Sequence, residues 1–215
     1  MAYTWRQEIS YRLNFKKCII HLQADLESLP ILHRDEFQVK ELSLESGKDL
    51  NSWVELLNYS YGDERSYDIN KAITEIQNHL FLKDLSTFLV FYNDQAVGSV
   101  SAGVYKKNPK IGGACRICVH PNFRRRGIGE FLLLYAYNFL KSQGIKKGES
   151  VVAIKRKGSI FMHFKCGFYP QYNRKVVQFK EQKRFFFVRL LALYKLRKYY
   201  LKYQKKNRKL FSPEI

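Results

Sequence analysis

The chain has 215 residues, 46% hydrophobic and 15% aromatic, with 38 Lys and Arg against 19 Asp and Glu for a formal net charge of +19. That much apolar material excludes a disordered chain, and the length fits one domain of ordinary size with appendages. No run approaches the roughly 20 apolar residues of a membrane-spanning helix, and Met1 to Ser10 lacks the apolar stretch of a secretory signal, so a cytoplasmic location is expected.

Residues 1–36 read as an N-terminal extension in which Tyr11, Leu13 and Phe15 alternate like a strand while Cys18 to Leu29 looks more helical. From Phe37 to about Lys180 strand-like and helix-like patterns alternate. Phe37 to Leu44 alternates as a strand, and Leu50, Trp53, Val54, Leu57 and Tyr61 recur at helical spacing within Lys48 to Tyr61. Asp68 to Phe81 repeats that spacing with Ile69, Ile73, Ile76 and Leu80 behind an Asp68 cap. Thr87 to Tyr92 and Ala96 to Lys106 are apolar, β-branched runs joined by Asn93-Asp94-Gln95, a hairpin, and Ile111 to Val119 is a third strand that Pro121 closes. A periodic helix spans Gly129 to Gln143, with Leu132, Leu133, Tyr135, Ala136 and Leu140 on its apolar face and Gly144 at its end. Glu149 to Ile154 is a strand, Ser159 to Cys166 a short helix and Lys175 to Phe179 a last strand.

Cys18, Cys115, Cys118 and Cys166 are too few for a disulfide framework. Cys115 and Cys118 spell C-x-x-C, but in a strand that offset places the thiols on opposite faces, and no second pair follows. They are expected to be buried structural thiols, and no metal site is expected.

The chemistry concentrates where the third strand of the sheet meets the long helix, in Val119-His120-Pro121-Asn122-Phe123-Arg124-Arg125-Arg126-Gly127-Ile128-Gly129. A strand that ends in a basic, glycine-bearing turn and opens into a helix has the makings of a pyrophosphate cradle: unpaired N–H groups, the positive end of the helix dipole, and glycines that let a ligand approach. Neither the Walker A spacing nor the Rossmann glycine spacing is present. A charge run is usually a solvated face, but this one stands at the mouth of a helix.

Arg124, Gly127 and Gly129 form R-x-x-G-x-G, preceded by V-x-P and followed by an amphipathic helix, and Phe161 to Phe168 is a short helix ending in Gly-Phe. This order closely resembles the acetyl-coenzyme A signature of the GCN5-related N-acetyltransferases (GNAT), over some two-thirds of the chain. The resemblance implies an α/β fold with a mixed, mostly antiparallel central sheet flanked by helices. It implies acetyl-CoA as co-substrate and direct transfer of its acetyl group to a primary amine in a ternary complex. Carried residue by residue, it places the pyrophosphate on the N–H groups of Arg125, Arg126, Gly127, Ile128 and Gly129, with charge from Arg124 and Arg126. The pantetheine arm would pair with Ile117, Cys118 and Val119 as an added strand, and the thioester would sit where the strands of Val119 and Val152 splay.

The sequence departs from the family at the proton-transfer positions. His163 stands where the family commonly has a tyrosine that protonates the thiolate, with Tyr169 and Tyr172 as nearby substitutes, and a packed core histidine is the competing reading. The carboxylate often found early in the preceding strand is replaced by Gly112-Gly113-Ala114-Cys115, which leaves Glu149 and His120 as candidate bases, with an ordered water or no dedicated base as the alternative. Arg156 replaces a frequent Asn. A non-catalytic module that keeps the fold and binds polyanions is the rival account.

Residues 181–215 carry eleven Lys and Arg against two Glu, a net +9 of the chain's +19. From Leu190 they read as a basic C-terminal helix with Leu193, Leu196, Tyr200 and Tyr203 on one side and Lys195, Lys198, Lys202, Lys205 and Lys209 on the other, behind Phe185-Phe186-Phe187. Three uses stay open: docking on the body or on a second subunit as a homodimer, lying on an anionic membrane surface (a peripheral place at the inner membrane surface), or binding RNA or DNA.

Overall fold

The computed structural model describes residues 18–61, 66–153, 156–170, 177–179 and 186–206. In chain order its strands are β1 (Cys18–Asp25), β2 (Gln38–Glu41), β3 (Leu82–Tyr92), β4 (Gln95–Tyr105), β5 (Asn108–Val119), β6 (Lys147–Ala153), β7 (Tyr169–Pro170) and β8 (Val177–Phe179). Its helices are α1 (Gly47–Tyr61), α2 (Ile69–Gln77), α3 (Ile128–Ser142), α4 (Lys157–Lys165) and α5 (Phe186–Lys206). Two compact units divide the chain, one of residues 24–149 and one of residues 1–23 with 150–215.

In the larger unit β2, β3, β4 and β5 lie side by side and antiparallel, and β6 joins parallel to β5. This is the mixed, mostly antiparallel sheet flanked by helices that the pattern anticipates. Its hairpin closes with Tyr92 opposite Gln95 around Asn93 and Asp94, both at positive φ (46° and 60°). That conformation matches the right-handed twist of the flanking strands, and Asn and Asp tolerate it. Leu50, Trp53, Leu56 and Leu57 of α1 pack with Leu89, Cys118 and Tyr67 on one face of the sheet. On the other face, that of Gly98, Ile128 and Leu132 of α3 close in.

Helix α2 starts as its cap requires, the Asp68 carboxylate accepting from Lys71 N–H at 2.8 Å. It stops at Gln77, short of the expected Phe81. His79 Nδ1 accepts from the N–H groups of Phe81 (3.3 Å) and Leu82 (3.0 Å), turning the chain into β3 and leaving Leu80 and Phe81 exposed.

In the smaller unit β1 pairs antiparallel with β7 (Leu22 with Pro170, Gln23 with Tyr169) and with β8 (Cys18 with Phe179, Ile20 with Val177). The helical reading of Cys18 to Leu29 is thereby overturned. Ile20, Leu22 and Ala24 are buried at period two, and only Leu26 to Ser28 turns as a short 3₁₀ segment. Helix α5 lies along α4: Phe164 meets Tyr200 at 5.1 Å and Tyr203 at 5.9 Å between ring centroids, Phe161 meets Tyr199 at 5.7 Å, and Leu196 is fully buried. Among the described residues no helix is long and apolar enough to cross a membrane. Tyr11, Leu13, Phe15, Tyr172 and Phe185, and the side chain of Leu193, lie outside the described residues.

Candidate functional site

Strand β5 is irregular where the chemistry is expected. Ser101 faces Cys115 and Ser99 faces Cys118, so Arg116 and Ile117 together oppose Val100 in a bulge, with Arg116 at φ 51°. The extra residue changes the parity of the strand. Cys115 and Cys118 are thus two register steps apart and share one face, not opposite faces as their spacing alone implies. Neither is in a disulfide; Cys118 is buried in the core beside α1, and burial pushes the Cys115 thiol up to about 11. Among the described residues no three metal-ligating side chains are gathered.

A residue at positive φ in a strand is a strained one. Here the strain is held by an ion pair the sequence does not announce: Arg116 Nη2 donates to Glu75 Oε2 at 2.5 Å and to the Glu75 carbonyl at 3.3 Å. Burial opposes the guanidinium charge most strongly, but Glu75, with Cys115 and Tyr67, together outweighs it, and the Arg116 pKa moves up.

Ahead of the bulge the pairing of β5 with β6 ends. The β5–β6 ladder runs through Ile111–Lys147, Gly112–Gly148 and Gly113–Glu149, the last register pair among the described residues, whereas β5 stays in register with β4 as far as Val119. The segment that contains Ile117, Cys118 and Val119 therefore follows the end of the parallel ladder.

The turn that follows is built from backbone geometry. His120 Nδ1 accepts from Asn122 N–H (3.3 Å) and caps a 3₁₀ turn over Pro121 to Phe123. Arg124 Nε donates to the Val119 carbonyl (3.2 Å) and its Nη2 to the Tyr59 carbonyl (3.1 Å), tying the turn to strand and helix α1. Arg125 (φ 67°) and Gly127 (φ 80°) both take left-handed backbone, and α3 begins behind Gly127 with no side-chain cap. The first N–H groups of a helix have no intrahelical acceptor, and they sit at the positive end of its dipole.

Those two bonds fix the Arg124 guanidinium without cancelling its charge, so exposed Arg124, Arg125 and Arg126 all carry charge at the turn, joined by a residue that sequence reasoning missed. Arg34 Nη2 donates to the Arg126 carbonyl at 3.3 Å, its Nε meets Glu36 at 2.6 Å, and its guanidinium lies 4.9 Å over the Phe37 ring. A Cβ on Gly127 would stand 3.1 Å from Arg34 Nη1. No motif signals Arg34, since it reaches the turn from 92 positions away.

The remaining candidates are distributed as follows. His120 stacks edge-on to Tyr59 (4.8 Å) and Phe123 (5.6 Å). The backbone carbonyl of Glu149 accepts from Tyr137 Oη at 2.6 Å. His163, in the smaller unit, is 2% exposed, with Nδ1 2.7 Å from the Ser159 carbonyl and Nε2 2.8 Å from Ser150 Oγ. The carbonyl can only accept, so Nδ1 carries the proton and Nε2 accepts from the Ser150 hydroxyl. Burial pulls the His163 pKa down to about 4, against a weaker upward pull from the Ser159 carbonyl. Tyr169 is 40% exposed.

The Acetyltransferase (GNAT) family matches residues 50–168, a stretch that holds most of α1, strands β3 to β6, the turn and the Gly-Phe element. The chain belongs to the GNAT acetyltransferase family. Solved structures agree on the fold. A putative GNAT acetyltransferase from Novosphingobium aromaticivorans is 12% identical with a TM-score of 0.54, covering 72% of this chain and 60% of that one. A GCN5-related N-acetyltransferase from Sphaerobacter thermophilus is 17% identical with a TM-score of 0.57, covering 72% of this chain and 48% of that one. The chain thus spans less than two-thirds of either protein's length. An aminoglycoside acetyltransferase from an uncultured soil metagenomic sample, in complex with trehalose, is 14% identical with a TM-score of 0.54, covering 69% of this chain and 97% of that one. Among curated proteins none matches.

Proposed function

We propose that this GNAT protein moves the acetyl group of acetyl-CoA to a primary amine, the amine attacking directly while both substrates are bound. The observation that carries the reading is the uncapped N-terminus of α3 behind the left-handed Arg125–Gly127 turn, directly after the β5 segment where the parallel ladder has ended. The N–H groups of Arg125 to Gly129 would hold the pyrophosphate, and Arg124, Arg125 and Arg126, with Arg34 beside them, would hold charge around it. Ile117, Cys118 and Val119 would pair with the amides of the pantetheine arm.

Acetyl-CoA would supply an activated thioester. What this chain must supply is a route for two protons. At neutral pH His163 has its proton on Nδ1, facing a carbonyl, and none on Nε2 to give. We therefore assign the thiolate's proton to the phenol of Tyr169 and give His163 the task of fixing the Ser150 hydroxyl. His120 uses Nδ1 as the cap of its turn, which favours Glu149 as acceptor of the amine's proton.

The test is an amine panel, aminoglycosides, polyamines and peptide N-termini included, with release of free coenzyme thiol as the readout. Release that depends on one amine class supports the reading. Tight coenzyme binding with no amine-dependent release would favour the non-catalytic, polyanion-binding account. That account keeps one observation of its own: Arg197, Lys198, Lys202 and Lys205 of α5 are exposed while Leu196 and Tyr203 are buried. Binding through that face should fall steeply with added salt.

A further inference from the structure

We infer that Tyr137 is a positioning residue that pins strands β5 and β6 together at the point where their pairing ends. Its hydroxyl accepts from the Ala114 N–H at 3.2 Å and donates to the Glu149 carbonyl at 2.6 Å. Gly113 and Glu149 form the last register pair of the parallel ladder, so this one hydroxyl joins both strands at the end of that ladder. A phenol can do this because it donates one hydrogen bond and accepts others, which no aliphatic or phenylalanine side chain at the site would allow.

The rest of the environment is built to keep the hydroxyl there. Tyr137 is completely buried on α3. Its ring lies so close to β6 that a Cβ on Gly148 would stand 2.7 Å from Cε1 and 2.8 Å from Cδ1, and 2.7 Å from Leu26 Cδ2. Real Cβ contacts are not that short, so Gly148 is the residue that admits the ring. With the ring buried in this position, the distance between the Ala114 and Glu149 backbones is set by a rigid side chain. The same helix that begins behind Gly127 thus carries, at Tyr137, the group that joins β5 to β6 at the last register pair of their ladder.

This rests on the acetyltransferase reading for its consequence, the alignment of the β5 edge with the pantetheine arm, but not for the pin itself. Tyr137→Phe keeps the ring and removes the bridge, so two measurements on that variant separate the claims. Amide hydrogen exchange at Ala114 should accelerate about tenfold, the equivalent of one net hydrogen bond, while exchange at Val100 and Ala102 in the β4–β5 hairpin stays unchanged. The dissociation constant for acetyl-CoA, measured by calorimetry, should rise by about the same factor with the KM for the amine unaltered. Gly148→Ala, which pushes the ring aside without removing the hydroxyl, should reproduce both changes and serves if Tyr137→Phe does not fold. Unchanged exchange at Ala114 overturns the pin. Faster exchange with unchanged coenzyme affinity overturns its role in positioning. If the wild-type protein does not bind acetyl-CoA, the acetyltransferase reading fails and the positioning role with it, while Ala114 exchange still decides whether the pin exists.

Discussion

His163 Nε2 and Ser150 Oγ lie 2.8 Å apart in a position from which solvent is almost fully excluded. A folded pKa near 4 against an ordinary value of 6.5 means the unfolded chain binds this proton first as the pH falls. The contribution is fully present above pH 6.5 and is lost progressively down to about pH 4. At about 1.36 kcal/mol per unit, the loss is on the order of 3 kcal/mol. Urea denaturation of wild type and His163→Phe at several pH values should show this acid loss in the wild type alone. Parallel pH curves would contradict it.

Arg116 and Glu75 make the second prediction. Both side chains are mostly buried (11% and 26% exposed), so Glu75→Gln leaves a guanidinium poorly compensated at a strained bulge. We expect a loss of about 2 kcal/mol in urea denaturation, less than for a fully buried pair because water still reaches the carboxylate. A loss within experimental error would show that the pair adds nothing to the bulge.

The C-terminal helix should separate cleanly into two faces. Leu196→Ala removes a fully buried side chain and is expected to cost about 2–4 kcal/mol, whereas Lys198→Ser and Lys202→Ser, on exposed positions, should stay within about 0.5 kcal/mol. Thermal melts of the three variants check this. Equal, small effects at all three positions would mean that α5 does not depend on its contact with α4.

What could be read from the sequence was what local chemistry dictates. The Asp68 cap, the Asn93-Asp94 turn and the strand–turn–helix around Arg124 to Gly129 each follow from a few neighbouring residues. Three features escaped because their causes lie far along the chain. Cys18 to Asp25 is a strand because β7 and β8 pair with it, and its Cys18, Leu22, Leu26 spacing suits a helix equally well. The bulge at Arg116 has no glycine to mark it and is held by Glu75, 41 positions away. Tyr137 looks like one more apolar helix position, and only the ring-sized space at Gly148 shows where its hydroxyl goes.

The central claim is that the turn before α3 holds the coenzyme, and Gly127 is where it is most exposed to test. At φ 80°, with Arg34 Nη1 3.1 Å from any added Cβ, Gly127→Glu puts strain, bulk and a negative charge at the place proposed for the pyrophosphate. Calorimetric titration of acetyl-CoA into wild type and into folded Gly127→Glu, with circular dichroism to confirm the fold, measures it directly. The account predicts a saturable heat in the wild type that disappears in the variant; binding that survives the substitution, or no binding to the wild type, would contradict it.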